Sequence, residues 1–185
     1  MTAAQQFNLD PEKKTLLMFG GSQGSVPLNK VMRESVIDLE QYGIQVLWQT
    51  GINQYSSIRS FESASTRVLP FIDDMGSAYA LSDLVFCRAG ALTVSELALC
   101  GLPAFFVPLA SAAGDHQQKN ASVMENEGAA VVCRESELSP SVLVNKVSEL
   151  MKDSNRLSEM SRKSKSLAKP DAVREITEHI LELAG

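Results

Sequence analysis

The feature that most constrains the fold is a repeated unit: a short apolar run, then a glycine-rich or polar turn, then a helix-forming stretch. The run Thr15–Phe19 ends in such a turn, and apolar side chains then recur at helical spacing over residues 26–42. Strands that alternate with helices are typical of a parallel sheet, and near-continuously apolar strands indicate that helices cover both faces. The sequence therefore predicts an α/β fold, a doubly wound, Rossmann-like parallel sheet of about six strands with helices on both faces.

The bounds of the predicted elements follow from apolar periodicity and from turn residues. Strands are predicted at residues 15–19, 44–48, 67–72, 83–87, 103–107 and 129–133. Helices are predicted at residues 26–42, 55–63, 73–80, 93–100, 115–127, 139–152, 155–167 and 171–183. Because 185 residues suffice for about one domain, we assign residues 15–185 to that domain and residues 1–14 to a linker.

Composition argues against several classes of protein. The net charge of -5 argues against nucleic-acid binding, because the phosphate backbone selects basic surfaces. No stretch is apolar over the length of a membrane span, and residues 1–10 lack the basic start and apolar run of a signal peptide. The three cysteines are widely spaced, with no C-x-x-C pair, which favours reduced thiols in a cytoplasmic protein.

The segment Gly90–Glu96 places a glycine turn, a helix start, two hydroxyls and a carboxylate within seven residues. Backbone N–H groups at such a helix start favour a diphosphate, and the Glu96 carboxylate suits the paired hydroxyls of a ribose. The alternative is structural, since Thr93 and Glu96 have the spacing of a capping box. Both interpretations require the same carboxylate, so the sequence leaves them open.

A second glycine turn, Gly20–Ser25, follows the first predicted strand. It matches neither the G-x-G-x-x-G fingerprint nor a P-loop. Its glycines would let the backbone approach a ligand, and Ser22 would donate to a phosphate or sugar oxygen. The alternative is a tight strand-to-helix turn that needs positive φ angles.

Polar residues follow two further strands. The cluster Gly114–Asn120 carries carboxamides that suit sugar hydroxyls, or it is a solvated first helical turn capped by Asp115. Arg88 either neutralises a phosphate or pairs with a structural carboxylate. Asp73 and Asp74 are interpreted as a helix start, because no nearby ligands complete a metal site.

These motifs, in this order and spacing, resemble the MurG family of bacterial GlcNAc transferases, which make the lipid-linked precursor of peptidoglycan. The motifs are Leu17–Gly24, Phe71–Met75, Cys87–Glu96, Gly101–Pro103, Gln117–Gln118 and Asn120–Ala121. Each is short and weak alone, but together they run through almost the whole chain. Two departures are Ala89, where relatives commonly have serine, and the loop 110–114.

The resemblance implies a GT-B glycosyltransferase, in which two Rossmann-like domains face a cleft. This chain resembles one half, the C-terminal, donor-binding domain, and the resemblance implies an N-terminal acceptor domain outside this sequence. The final helix, 171–184, is expected to pack toward that domain. Its apolar stripe consists of Val173, Ile176, Ile180 and Leu183.

The same resemblance implies a role for each group of site residues. Ile72 presents backbone groups to uracil, Glu96 holds the ribose, and Ser22 binds the diphosphate together with residues 91–93. Gln117 and Gln118 read the hydroxyls of GlcNAc. The full set of expected donor-binding residues is Gly21, Ser22, Gln23, Ile72, Arg88, Gly90, Ala91, Leu92, Thr93, Ser95, Glu96, Gln117, Gln118 and Asn120.

The implied reaction moves GlcNAc from UDP-GlcNAc, with inversion, to the 4-hydroxyl of a muramyl-pentapeptide on a polyprenyl diphosphate. No Asp-x-Asp motif is present, so neither a tightly bound metal nor another cofactor is expected. No catalytic residue is expected in this chain, because the general base is assigned to the acceptor domain. The full enzyme is expected in the cytoplasm, at the inner face of the plasma membrane, where it meets the lipid-linked acceptor.

Two alternatives remain at this point. A eukaryotic donor-domain subunit of a dolichol-linked GlcNAc transferase would use the same chemistry, although the glycine motifs look more bacterial. A non-catalytic nucleotide-binding module is the other alternative, since a Rossmann-like fold does not fix function. Such a module would prefer adenine nucleotides or NAD to UDP-GlcNAc.

Overall fold

The computed structural model of the chain describes residues 2–110 and 115–184. Its six strands form one parallel sheet in the order β3-β2-β1-β4-β5-β6, which confirms the predicted fold class. The strands are β1 (Thr15–Phe19), β2 (Gln45–Gln49), β3 (Thr66–Leu69), β4 (Leu84–Cys87), β5 (Ala104–Phe106) and β6 (Ala130–Val132). The helices are α1 (Ala3–Phe7), α2 (Val26–Gln41), α3 (Ile52–Ile58), α4 (Met75–Leu81), α5 (Ala91–Cys100), α6 (His116–Asn126), α7 (Pro140–Lys152), α8 (Ser154–Ser166) and α9 (Ala172–Ala184).

Two apolar cores lie on opposite faces of the sheet, as the alternation of side chains along a strand requires. Leu16 and Met18 of β1 belong to the core that α2 and α7 cover. Leu17 and Phe19 of the same strand belong to the core on the side of α4, α5 and α6. Every residue of β1 is therefore buried, which explains its continuous apolar sequence.

The strand order places β1 at the centre, between β2 and β4. Leu17 pairs with Leu47 of β2 on one side and with Val85 of β4 on the other. All six strands are parallel, so their carboxyl ends meet at one edge of the sheet. The turns that follow the strands are consequently gathered along that edge, which is where open α/β sheets bind ligands.

The third predicted strand and the second predicted helix have other bounds in the structure, because of local backbone chemistry. The third strand was predicted to reach residue 72 but ends at Leu69, and Pro70, which has no N–H for the sheet, follows it. The helix predicted at residues 55–63 instead spans Ile52–Ile58 and continues as a short 3-10 turn over Arg59–Phe61. Its start is set by Gly51, whose φ of 81° ends the preceding strand segment.

The structure adds a helix within residues 1–14, the segment that the sequence analysis treated as a linker. Helix α1 begins with a capping box, in which Thr2 and Gln5 exchange side-chain and backbone hydrogen bonds. Phe7 and Leu9 are buried in the core beside α4. Arg67 of β3 donates to the Phe7 carbonyl oxygen at 2.7 Å. This segment is therefore packed against the domain.

Helix α9 contrasts with α1, because its side chains are almost all exposed. The apolar stripe noted in the sequence is on the surface, with Val173 at 79% and Leu183 at 89% exposure. Within the described residues, no helix is both long and apolar enough to cross a bilayer.

Candidate functional site

The candidate site lies where the sheet order reverses direction. Strands β2 and β3 follow β1 on one side, whereas β4, β5 and β6 follow on the other. At such a switch point the turns after the two central strands diverge and leave a crevice. Here those turns are the glycine turn after Phe19 and the turn Arg88–Gly90 after β4.

Helix α5 begins at this crevice, two residues earlier than predicted. Its N-cap is Gly90, and among the described residues no side chain caps it. The capping-box alternative is therefore excluded, because Thr93 is the third residue of α5 and not its N-cap. The first N–H groups of a helix have no partner inside the helix. In α5 these are the N–H groups of residues 91–93, which lie beside the crevice. The positive end of the helix dipole lies at the same place.

The Glu96 carboxylate is consequently not used as a cap. Its Oε2 accepts a hydrogen bond of 2.8 Å from the Tyr79 hydroxyl of α4. Glu96 is half-buried, on the turn of α5 that follows residues 91–93. The structure therefore does not support the capping-box interpretation of Glu96, and ribose binding by this carboxylate stays a prediction.

The first glycine turn is a tight turn with positive φ angles, which is the structural interpretation of its sequence. Gly24 has a φ of 76°, and a Cβ there would lie 2.0 Å from the Thr50 carbonyl oxygen, so this glycine is required for folding. Gly21 also has a positive φ, 94°, but a Cβ there would meet nothing within 4 Å in the described part of the chain. Ser22 and Gln23 beside it are exposed. The tip of the turn is thus open to a ligand while its base is packed.

Gln49, a residue that the sequence analysis missed, joins this turn to the Ile72 segment. Its Nε2 donates to the Gly21 carbonyl oxygen at 3.0 Å, and its Oε1 accepts from the Ile72 N–H at 2.8 Å. Gln49 is 3% exposed, at the end of β2. The Ile72 N–H is thus bonded within the protein, and the expected contact of Ile72 backbone groups with uracil stays a prediction. The only sequence signal was a polar residue ending a buried strand.

Arg88 is buried and paired, which selects the structural alternative for this residue. Its guanidinium contacts the Glu135 carboxylate, donates to Ser25 Oγ at 3.1 Å, and donates to the carbonyl oxygens of Val107 and Pro108 at 3.0 and 3.3 Å. These bonds tie the turns after β1, β4 and β5 together. The expected contact of Arg88 with phosphate is not supported, because both of its Nη groups already serve protein acceptors.

The carboxamides of α6 also hold the site together. Asn120 donates to the Ala89 carbonyl oxygen at 3.1 Å, and Gln117 Oε1 accepts from the Leu109 N–H at 2.9 Å. Gln118 makes a longer contact of 3.4 Å with Ser122 Oγ. Asp115 is the N-cap of α6 with a φ of 56°, but its side chain makes no cap hydrogen bond. Residues 111–114, including Gly114 of the predicted polar cluster, lie outside the described residues.

Two further residues predicted for the site lie on α5, at the same edge of the sheet. Ser95 donates to the Ala91 carbonyl oxygen within α5, and Leu92 is 74% exposed beside the crevice. A cavity of about 430 Å³ opens at the β3 end of the edge, lined by residues of α1 and by Phe71, Ile72 and Asp73. It adjoins the Ile72 segment but not the start of α5, so the candidate site extends beyond this cavity.

Comparison with known proteins identifies the family of this chain. A family model described as the Glycosyltransferase family 28 C-terminal domain matches residues 15–176. A relative from Cytophaga hutchinsonii, named UDP-N-acetylglucosamine--N-acetylmuramyl-(pentapeptide) pyrophosphoryl-undecaprenol N-acetylglucosamine transferase, is 38% identical over 177 residues, 96% of this chain and 48% of the relative. A relative of the same name from Stutzerimonas stutzeri is 40% identical over 182 residues, 96% of this chain and 51% of the relative.

The fold agrees with a solved structure of the same kind. The crystal structure of Acinetobacter baumannii MurG matches with a TM-score of 0.84 at 36% identity, covering 92% of this chain and 52% of that chain. The chain spans about half the length of the curated relatives it matches. Relatives of this name favour the bacterial family over a dolichol-linked subunit or a non-catalytic module. Because the family model covers most of the chain, we conclude that it belongs to glycosyltransferase family 28, as a C-terminal domain.

Proposed function

We propose that the chain is the donor-binding half of an inverting glycosyltransferase that takes GlcNAc from UDP-GlcNAc. The observation that carries this proposal is the start of α5, at the switch point of the sheet. No side chain of the described residues caps this N-terminus, and the Glu96 carboxylate follows within two turns. One helix thus offers N–H donors for an anion and an acceptor for paired hydroxyls. A nucleoside diphosphate has both groups.

The diphosphate is placed between the start of α5 and the tip of the first glycine turn. The N–H groups of Ala91, Leu92 and Thr93 supply donors on one side, and the open backbone at Gly21 with the Ser22 hydroxyl supplies the other. As the sugar leaves, negative charge develops on UDP, and these fixed dipoles stabilise it without reorganisation. The site needs no tightly bound metal for this step, and we expect donor binding to be unchanged by a chelator.

The two ends of the same crevice recognise the nucleoside and the sugar. The Ile72 segment, held by Gln49, presents its carbonyl oxygen to uracil, and Glu96 accepts from the ribose hydroxyls. Toward the other side, we assign the Gln117 amide and the Gln118 side chain to the hydroxyls of GlcNAc. Asn120 acts indirectly, since its amide fixes the Ala89 carbonyl oxygen before Gly90.

The acceptor side of the reaction belongs to the other half of the longer protein. Inversion in one displacement needs a base at the acceptor hydroxyl, and we assign that base to the acceptor domain. The acceptor would be the muramyl-pentapeptide on a polyprenyl diphosphate, met at the inner face of the plasma membrane. The chain by itself should bind the donor without transferring its sugar, and GlcNAc transfer to a lipid acceptor analogue by the pure chain would contradict this.

The proposal is tested by titrating the chain with UDP-GlcNAc, UDP and ADP by calorimetry. We expect uridine nucleotides to bind selectively and Glu96→Ala to weaken UDP-GlcNAc binding by about 1.5–3 kcal/mol, or roughly 10–150-fold, through loss of a charge-assisted contact. Glu34→Ala, an exposed carboxylate in the middle of α2, is the matched control and should bind as the wild type does. Preference for ADP, or no uridine binding, would contradict the proposal.

A further inference from the structure

Tyr79 is a buried titratable group for which the proposed reaction has no direct use. It lies on α4, outside the glycine turns, and only 6% of it is exposed. Its hydroxyl donates to Glu96 Oε2 at 2.8 Å, and Glu96 is the carboxylate that we assign to the ribose. The hydrogen bond joins residues 17 positions apart, across two helices.

The ring of Tyr79 is fixed by its surroundings. Its centroid lies 6.4 Å from that of Phe19, the last residue of β1 and the one that precedes the first glycine turn. The ring belongs to the core between the sheet and helices α4, α5 and α6. A hydroxyl on an immobile ring holds its acceptor in one position, and a preorganised site binds with less loss of side-chain freedom.

The Tyr79 hydroxyl remains a hydrogen-bond donor at neutral pH. Burial, together with the hydrogen bond to Glu96, raises the pKa of the Tyr79 phenol above its ordinary value. The group therefore stays protonated through neutral pH. Because a carboxylate has about four lone-pair directions on two oxygens, one bond to Oε2 leaves acceptor capacity for a ribose.

We infer that Tyr79 is a positioning residue for nucleotide recognition, which holds the Glu96 carboxylate in the orientation that accepts the ribose hydroxyls. This inference rests on the proposed function, because it requires that Glu96 meets a ribose. It assigns Tyr79 no contact with the ligand. Its role is to link α4 and the end of β1 to the ribose-binding carboxylate of α5.

The test compares UDP with 2′,3′-dideoxy-UDP, which lacks both ribose hydroxyls. Binding is measured by calorimetry for the wild type, Tyr79→Phe, Glu96→Ala and the double variant. We expect Tyr79→Phe to weaken UDP binding roughly 3- to 10-fold and to leave dideoxy-UDP binding unchanged. In the Glu96→Ala background, Tyr79→Phe should have no further effect, because there is no carboxylate left to position.

Two controls separate positioning from folding. Tyr42→Phe changes a tyrosine that is 48% exposed at the C-terminal end of α2, and it should leave both affinities unchanged. The ratio of the two affinities is independent of the folded fraction, so it remains informative even if Tyr79→Phe lowers stability. Phenylalanine also keeps the ring that packs against Phe19.

The outcomes distinguish this inference from the proposed function. A wild-type chain that does not bind UDP overturns the proposed function, and the role of Tyr79 with it. UDP binding that depends on Glu96 but not on Tyr79 overturns only the inference. Tighter UDP binding by Tyr79→Phe would mean that the hydroxyl competes with the ribose, and equal losses for both ligands would mean that Tyr79 only supports the fold. Each of these results overturns the inference as well.

Discussion

Single residues with no contact to a ligand fix the geometry of this site. Gln49 is the clearest case, since one buried amide binds both the Gly21 carbonyl oxygen and the Ile72 N–H. The two atoms belong to turns that follow different strands, β1 and β3. An amide that bridges them sets the distance between the diphosphate end and the uracil end of the proposed site.

We predict that Gln49→Leu weakens both folding and donor binding. Leucine has a similar volume but leaves the buried Ile72 N–H and the part-buried Gly21 carbonyl oxygen without their partner, which should lower the free energy of unfolding by about 1–3 kcal/mol. Urea unfolding measures this loss, and calorimetry measures UDP binding, which we expect to fall roughly tenfold as the two turns separate.

The same strand supplies the matched control. Gln45, at the other end of β2, is 1% exposed and bonds the Asp10 backbone N–H and carbonyl oxygen, both at 2.8 Å. Gln45→Leu should therefore cost similar stability without changing the affinity for UDP. Equal losses of UDP affinity in the two variants would contradict a specific role for Gln49.

Residues of the site were predictable from sequence where they stand in a local motif. Gly21, Gly90 and Glu96 follow strands in short polar segments, and such segments mark the ligand edge of a parallel sheet. Gln49 and Tyr79 were not predictable, because their partners lie 23 and 17 residues away and depend on strand register and helix packing. Arg88 was left open for the same reason, since Glu135 is 47 residues distant.

At the scale of elements, the bounds of a helix were predictable where local cap residues set its ends. Helix α7 begins as expected, because Ser139 caps the Val142 N–H and Pro140 occupies the first turn. Gly43 follows α2 with a φ of 76°, the left-handed conformation that commonly ends a helix. Helix α5 begins early because its start is set by the turn after β4, to which Asn120 is bonded, and not by the local capping-box pattern.

The start of α5 supports a prediction about Gly90. Its φ of -64° suits any residue, and a Cβ there would have its nearest neighbour, Thr93 Oγ1, at 3.7 Å. Folding therefore does not require glycine at this position. Gly90→Ser should raise the free energy of unfolding by a few tenths of a kcal/mol through a better N-cap. It should weaken UDP binding roughly tenfold, because the new side chain occupies the N–H groups that the diphosphate would use.

Urea unfolding measures the expected gain in stability of Gly90→Ser, and calorimetry on the same preparations measures the expected loss of UDP binding. Gly24→Ser is the contrasting variant, since a φ of 76° and the Thr50 carbonyl oxygen exclude a side chain there. It should be strongly destabilised. Unchanged or tighter UDP binding by Gly90→Ser would argue that α5 does not start at the diphosphate.

At the scale of the whole molecule, the order of elements was predictable because each strand and helix carries its own periodicity. The doubly wound sheet follows from that order, since parallel strands need crossover helices on both faces. The packing of residues 2–9 onto the domain was not predictable, because Phe7 and Leu9 are too few to form a periodic pattern. Their burial depends on contacts with β3 and α4.

Helix α9 buries little of its surface against this domain. Its apolar stripe is exposed from Val173 to Leu183, whereas α8 buries Leu157, Met160 and Ser164 against the domain. An amphipathic helix whose apolar face is exposed marks an interaction surface. We propose that the other half of the longer protein covers this stripe.

Deleting residues 171–185 should therefore leave the domain folded, with a free energy of unfolding within about 1 kcal/mol of the full chain, because α9 buries little apolar area. Urea unfolding measures this free energy, and UDP binding should be unchanged.

Deleting residues 153–185, which removes α8 as well, should abolish cooperative unfolding because part of the core is lost. In the longer protein, loss of α9 should reduce GlcNAc transfer while donor binding persists, since the two halves would no longer be held together. A large loss of stability in the shorter deletion would instead mean that α9 packs on this domain.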